Sequence, residues 1–221
     1  MSRSTALMAS TIAFVALYLG AVLALGTPPG VNDDGATVVQ WLVDHQQAVR
    51  WSTWLSTLSA PFFATYAVLM RERLARTAGR FFLLGASAVL VLTSLSAWVL
   101  AGLARRPDSL DPATARTLLD VSAYWGPTLT GFTVLTLGAL AVAGLRHGRL
   151  PRWVGMLAAV AFVEQAVETV TVFGRSGFIA AGGPMNTMLG AGLTVVTWLV
   201  AGIAAARRPA ATDGDAEPAA T

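Results

Sequence analysis

The sequence predicts an all-α polytopic membrane protein: a six-helix transmembrane bundle with an extra amphipathic helix on the outer face between spans 1 and 2. Three observations predict it. Apolar residues make up 55% of the 221 and charged residues only 12%, against about 45–50% and about 25% in soluble domains. Too little polar side chain is present to cover a water-facing surface. The mean hydropathy is +0.62, and six stretches approach the roughly 20 apolar residues that cross about 30 Å of hydrocarbon. This balance excludes an ordinary water-soluble enzyme and a disordered chain.

The spans fall at about 6–25, 51–70, 81–103, 118–145, 153–173 and 185–206. Arg3 before the first span and Ala24-Leu25-Gly26 after it resemble a signal peptide, but a run near 20 residues exceeds the usual h-region of about 7–15, so a retained helix is expected. Thr27-Pro28-Pro29-Gly30 stops that helix, and Asn32, Asp33 and Asp34 can cap the next. Residues 36–50 then read as one amphipathic helix. Val38, Val39, Leu42 and Val49 lie on one side and Gln40, Asp44 and Gln47 on the other. It is too short and polar to span, so it is expected at the outer interface with Trp41, Trp51 and Trp54 at headgroup level.

The second span is the least apolar, carrying Ser52, Thr53, Ser56, Thr57, Ser59 and Thr65. These hydroxyls can bond back to helix carbonyls. Pro61 and Pro127 inside spans two and four are expected to kink them. They are not at equivalent places in two halves, so no inverted repeat is indicated. Residues 105–120 read as an outer turn broken by Pro107 and Pro112. Beyond the 1–208 bundle, residues 209–221 lack large apolar side chains and are expected to form a disordered cytoplasmic tail.

Orientation follows from arginine, the only strongly basic residue type in the chain. One set of connecting segments holds Arg3, Arg71, Arg73, Arg76, Arg80, Arg146, Arg149, Arg152, Arg207 and Arg208; the other holds Arg50, Arg105, Arg106, Arg116 and Arg175. The richer set belongs in the cytoplasm. The expected location is therefore the inner (plasma) membrane, multi-pass, with N- and C-termini cytoplasmic. The same clustering explains a sequence pI near 10.2 without nucleic-acid binding, for which no basic stripe with aromatics is present. The absence of Cys excludes disulfides, thiolate metal sites and cysteine nucleophiles.

The strongest chemical signal is Glu164-Gln165-Ala166-Val167-Glu168 in the fifth span. Glu164 lies near mid-span and Glu168 one turn further out on the same face. An ionised group at that depth costs roughly 2.5–3.5 kcal/mol on insertion scales. The pair must therefore face the bundle, with at least one carboxyl neutral or held by donors. Tyr18, Tyr66, Tyr124, Asn186, Thr187 and Gln165 are the candidate donors. The candidate ligand or proton site is thus Glu164, Glu168, Gln165, Tyr124 and Asn186, set against simple interhelical hydrogen bonding. Arg175, two turns above Glu168 on the same face, reads as an interfacial anchor, with a counter-ion to Glu168 as the alternative. His45 beside Asp44 reads as a solvated interfacial residue, and His147 as part of the Arg-rich turn. Gly190-Ala191-Gly192, Gly131 and Gly138 read as close-packing positions. No catalytic set, metal site or cofactor motif is visible.

The turn Leu150-Pro151-Arg152-Trp153-Val154-Gly155 before the fifth span, the outer amphipathic helix and the six-span layout together resemble a broad actinobacterial-type group of bacterial integral membrane proteins of unknown function. Members of that group place an acidic residue in the third span, whereas this chain carries its pair in the fifth. The resemblance implies layout and no activity. The expected function is non-enzymatic, with a polar intramembrane site that binds a small ligand, lipid or partner. The alternative is a small proton- or cation-coupled transporter using Glu164 and Glu168. The expected partners are the lipid bilayer and a small amphiphile, a proton or another membrane protein.

Overall fold

The computed structural model describes residues 2–123, 125–180 and 182–208. The tail expected at 209–221 lies outside the described residues. Every regular element among the described residues is helical. In chain order these are α1 (Arg3–Leu25), α2 (Gly35–Asp44), α3 (Gln46–Arg73), α4 (Arg76–Leu103), α5 (Pro112–Ala123), α6 (Trp125–Leu145), α7 (Arg152–Glu168) and α8 (Ala191–Arg207). Short 3₁₀ turns occupy Pro107–Ser109, Thr169–Phe173 and Gly177–Ile179, and a π-helical turn, Met185–Gly190, leads into α8.

Four helical stretches are long and apolar enough to cross a membrane: Arg3–Leu25, Arg76–Leu103, Arg152–Phe173 and Met185–Arg207. α3 is long, but its hydroxyls depress its hydropathy. Several bond back to the helix as the sequence suggests: Thr53 donates to the Val49 carbonyl at 2.9 Å, Thr57 to Thr53 at 2.9 Å and Thr65 to Pro61 at 2.8 Å. The apolar described part of α6 is Leu129–Leu145.

The long helices pack in a closed ring, α1 on α3, α3 on α4, α4 on α6, α6 on α7, α7 on α8 and α8 back on α1. The interior is held by large side chains. Phe14 meets Phe63 edge-on with ring centroids 5.2 Å apart, and Trp198 lies 5.1 Å from Phe63. Tyr66 is fully buried and donates its hydroxyl to the Trp198 carbonyl at 3.1 Å. α6 and α7 cross at paired glycines: a Cβ on Gly144 would come within 2.6 Å of Gly155 Cα. Gly138 likewise packs on the Phe162 ring, but Gly131 faces open space. Large apolar side chains point outward in stripes. Trp153, Met156, Val160, Val163 and Val167 of α7 are all more than half exposed, spaced three and four residues apart on one helical face.

The two ends of the ring differ. At one, Arg73 donates to Ser4 Oγ and to the Arg208 carbonyl, each at 2.8 Å, Arg3 pairs with Glu72 at 3.2 Å, and Arg208 donates to the Gly148 carbonyl. The four segments that carry the larger arginine set therefore share that end. At the other, Gln46 donates to the Ala104 carbonyl at 3.0 Å, and Arg116 to the Gly30 carbonyl at 2.9 Å.

Two expectations are corrected. Residues 36–50 do not form one helix: α2 ends at Asp44 and Val49 belongs to α3. His45 stands between the two, stacked on Trp41 at 5.1 Å, with its Nδ1 hydrogen-bonded to the Trp41 carbonyl at 3.0 Å. The apolar face of α2 is also not turned to lipid, because Val38 and Leu42 are fully buried against Leu103, Ala104, Ala115 and Leu119. The span expected at 118–145 covers the end of α5 and all of α6, and Tyr124 between them lies outside the described residues. α5 packs on α2 and α4.

Candidate functional site

α7 runs from Pro151, its N-cap, to Glu168, where the chain tightens into the 3₁₀ turn Thr169–Phe173. Glu168 lies about 24 Å from the helix start at 1.5 Å per residue, well towards the arginine-poor end. Facing it is the π-helical turn Met185–Gly190. Such turns are rare and recur at functional sites, because the wider backbone re-aims side chains.

Glu168 is only 2% exposed. Its Oε2 accepts from the Gln165 amide nitrogen and its Oε1 from Asn186 Nδ2. The orientation of Asn186 is set independently, because its Oδ1 accepts the Gly182 backbone N–H at 3.0 Å. A backbone N–H is an obligate donor, so the amide oxygen must face it and the amide nitrogen must face Glu168. The same nitrogen lies 3.2 Å from Thr171 Oγ1. On the other side, Thr133 of α6 donates to Gln165 Oε1. Gln165 also donates to Glu164 Oε2 at 3.1 Å, so one amide joins both carboxylates.

Gly190 makes this approach possible. A Cβ there would sit 1.8 Å from Glu168 Oε2 and 2.7 Å from Gln165 Nε2. The expected close-packing role of this glycine is thus met by a carboxylate rather than a helix backbone. Gly192 has nothing within 4 Å of its would-be Cβ.

The expected site residues divide as follows. Gln165, Glu168 and Asn186 come together. Glu164 is bonded to the cluster through Gln165 but is only half-buried, does not line the adjoining cavity, and leaves a buried Oε1 with no partner. Tyr124 lies outside the described residues. Tyr66 and Thr187 bond to backbone carbonyls elsewhere. Arg175 is exposed in the loop after the 3₁₀ turn, because α7 stops at Glu168 and the shared helical face ends with it. Thr133 and Thr171 are members that the sequence reading missed. Threonine is common in apolar helices as a back-bonding residue, so nothing marked these two.

The cluster forms part of the wall of a cavity of about 410 Å³. Gln165, Glu168, Asn186 and Thr194 supply polar groups, and Val22, Leu25, Leu100, Leu129, Val195 and Trp198 supply apolar wall. Further lining comes from the loop after α1, Gly26 to Val31, and from Gly182 and Thr187. No arginine or histidine is among the lining residues. Thr194 is 4% exposed, and its hydroxyl is buried with no hydrogen-bond partner. The lining reaches the arginine-poor end and includes Trp198, whose ring packs on Phe14 and Phe63; these three also line a second cavity, of about 340 Å³, with residues of α3 and α4. No family model, curated protein or solved structure matches the chain.

Proposed function

We propose that this chain is a six-span integral membrane protein of the plasma membrane that binds a small amphiphile, without catalysis, in the cavity beside Glu168. α3 and α6 complete the six crossings. Each is held between neighbours in the ring, and their connecting segments put the larger arginine set at one end, which is the cytoplasmic end. α2 and α5 then form a cap on the outer side. The outward apolar stripes fit contact with acyl chains, since water-facing patches of that size are rare.

The observation that carries the binding reading is the cavity itself. A volume of about 410 Å³ with mainly apolar walls and a few convergent polar groups is the usual form of a small-molecule site. Its lining includes Gly26 to Val31 and Thr187 at the arginine-poor end and no residue of the arginine-rich end. That favours binding over transport, which requires access from both sides in turn.

The test uses the purified protein in phosphatidylcholine nanodiscs, titrated with the neutral apolar dye N-phenyl-1-naphthylamine. Saturable fluorescence above that of empty discs is expected, and Ala191→Trp, which fills the cavity, should remove it. Equal signals from loaded and empty discs would refute the reading. In proteoliposomes with a trapped pH dye, no proton uptake is expected. Uptake that disappears with Glu164→Gln plus Glu168→Gln would establish the transporter alternative instead.

A further inference from the structure

We infer that the occupant of the cavity carries an N–H-donating cationic head that docks on Glu168, making it an amphiphilic amine of the alkylammonium class. The inference rests on the binding reading above and specifies its ligand.

Three features select this chemistry. The first is the fixed direction of the hydrogen bonds. Asn186 is locked with its nitrogen towards Glu168 by the Gly182 N–H, so Glu168 meets its neighbours as an acceptor. A carboxylate offers about four lone-pair positions, and Gln165 and Asn186 occupy one on each oxygen. The remaining positions can be filled only by donors. The second is charge. The lining holds one carboxylate and no arginine or histidine. A buried carboxylate without a counter-ion is costly, and a ligand cation removes that cost where a neutral or anionic head does not. The third is the Thr194 hydroxyl, which lines the same cavity, is buried, and lacks a partner. An ammonium has three donors and no acceptor, so it can serve Glu168 and a free hydroxyl together. The apolar walls at Leu129, Val195 and Trp198 then suit a hydrocarbon tail.

The test is a titration of the intact protein in phosphatidylcholine nanodiscs with three ligands of one tail length: decylammonium, decanol and decanoate. Empty discs are subtracted. Decylammonium is expected to bind about 10–100-fold more tightly than decanol, the range for a hydrogen bond to a charged group, and decanoate more weakly than either. Glu168→Gln should erase the preference for decylammonium over decanol, with a circular dichroism spectrum and thermal unfolding matching the wild type to show that the variant is folded. If Glu168→Gln does not fold, Thr194→Val should weaken decylammonium several-fold, and an unchanged decylammonium affinity would overturn the docking. Equal binding of decylammonium and decanol to the wild type would overturn the cationic head and leave the cavity reading standing. Saturable binding of none of the three would overturn the cavity reading itself. Adding phosphatidylethanolamine to the discs identifies the source of the ammonium. Competition assigns it to a lipid headgroup, and unchanged affinity assigns it to a free amine. Either result keeps the class.

Discussion

Gly190 of the π-helical turn lies directly against the carboxylate of Glu168, so closely that a Cβ on the glycine would come within 1.8 Å of Oε2. Two helices that are separate in sequence are thereby locked around one acidic group. Gly190→Ala should displace the carboxylate and lower stability by about 1–3 kcal/mol, the usual range for overpacking. Gly192→Ala, two residues on, meets nothing within 4 Å and should be neutral or stabilising by up to about 1 kcal/mol. Thermal unfolding in one detergent, followed by circular dichroism, compares the pair. Equal loss from both would show that the tight approach is not a real constraint.

Gln165 donates to both carboxylates and accepts from Thr133. Gln165→Leu should cost about 1–3 kcal/mol, because buried partners are left unpaired. Thr133→Val removes part of the same network, so the two changes should be less than additive. A double-mutant cycle on unfolding free energies reads this directly. Strict additivity would mean that the two side chains do not share a bond.

How much of this was legible in the sequence depended on how local the signal was. Apolar runs placed the long helices because hydropathy is read residue by residue. Glu164, Gln165 and Glu168 stood out because polar groups in an apolar helix are conspicuous, and Asn186 was a recognisable donor. The contact of α2 with Leu103 and Leu119 was missed because amphipathicity shows that a face must be covered but not by what. The grip of Gly190 on Glu168 was hidden because a π-helical turn leaves no residue pattern of its own.

The α2 and α5 helix starts should respond to acid. Asp34 caps α2 by accepting the Thr37 N–H at 2.8 Å, and Asp111 accepts the Thr114 N–H at 2.9 Å ahead of α5. In each case the backbone hydrogen bond is the main cause that holds the carboxyl below its ordinary value of 3.8. A carboxyl with a lowered folded pKa contributes stability that is complete above its unfolded pKa and is lost as pH falls through the folded value. Amide exchange in α2 and α5 should therefore rise below about pH 4. Asp34→Asn keeps a cap without the charge and should flatten the response in α2. An unchanged acid response in that variant would place its origin elsewhere.

The threading can be checked by single-cysteine labelling, since the chain has no native cysteine. With an impermeant maleimide, His45→Cys should react from outside the cell and Arg76→Cys only after the cytoplasmic face is opened. The reverse pattern would invert the arginine assignment.

The most direct test of a one-sided cavity uses Thr187→Cys, because Thr187 is exposed and lines the cavity. Impermeant maleimide should label it in right-side-out vesicles and not from the cytoplasmic side of inverted ones, and saturating decanol should slow the reaction. Labelling from the cytoplasmic side, or a rate indifferent to decanol, would contradict the account.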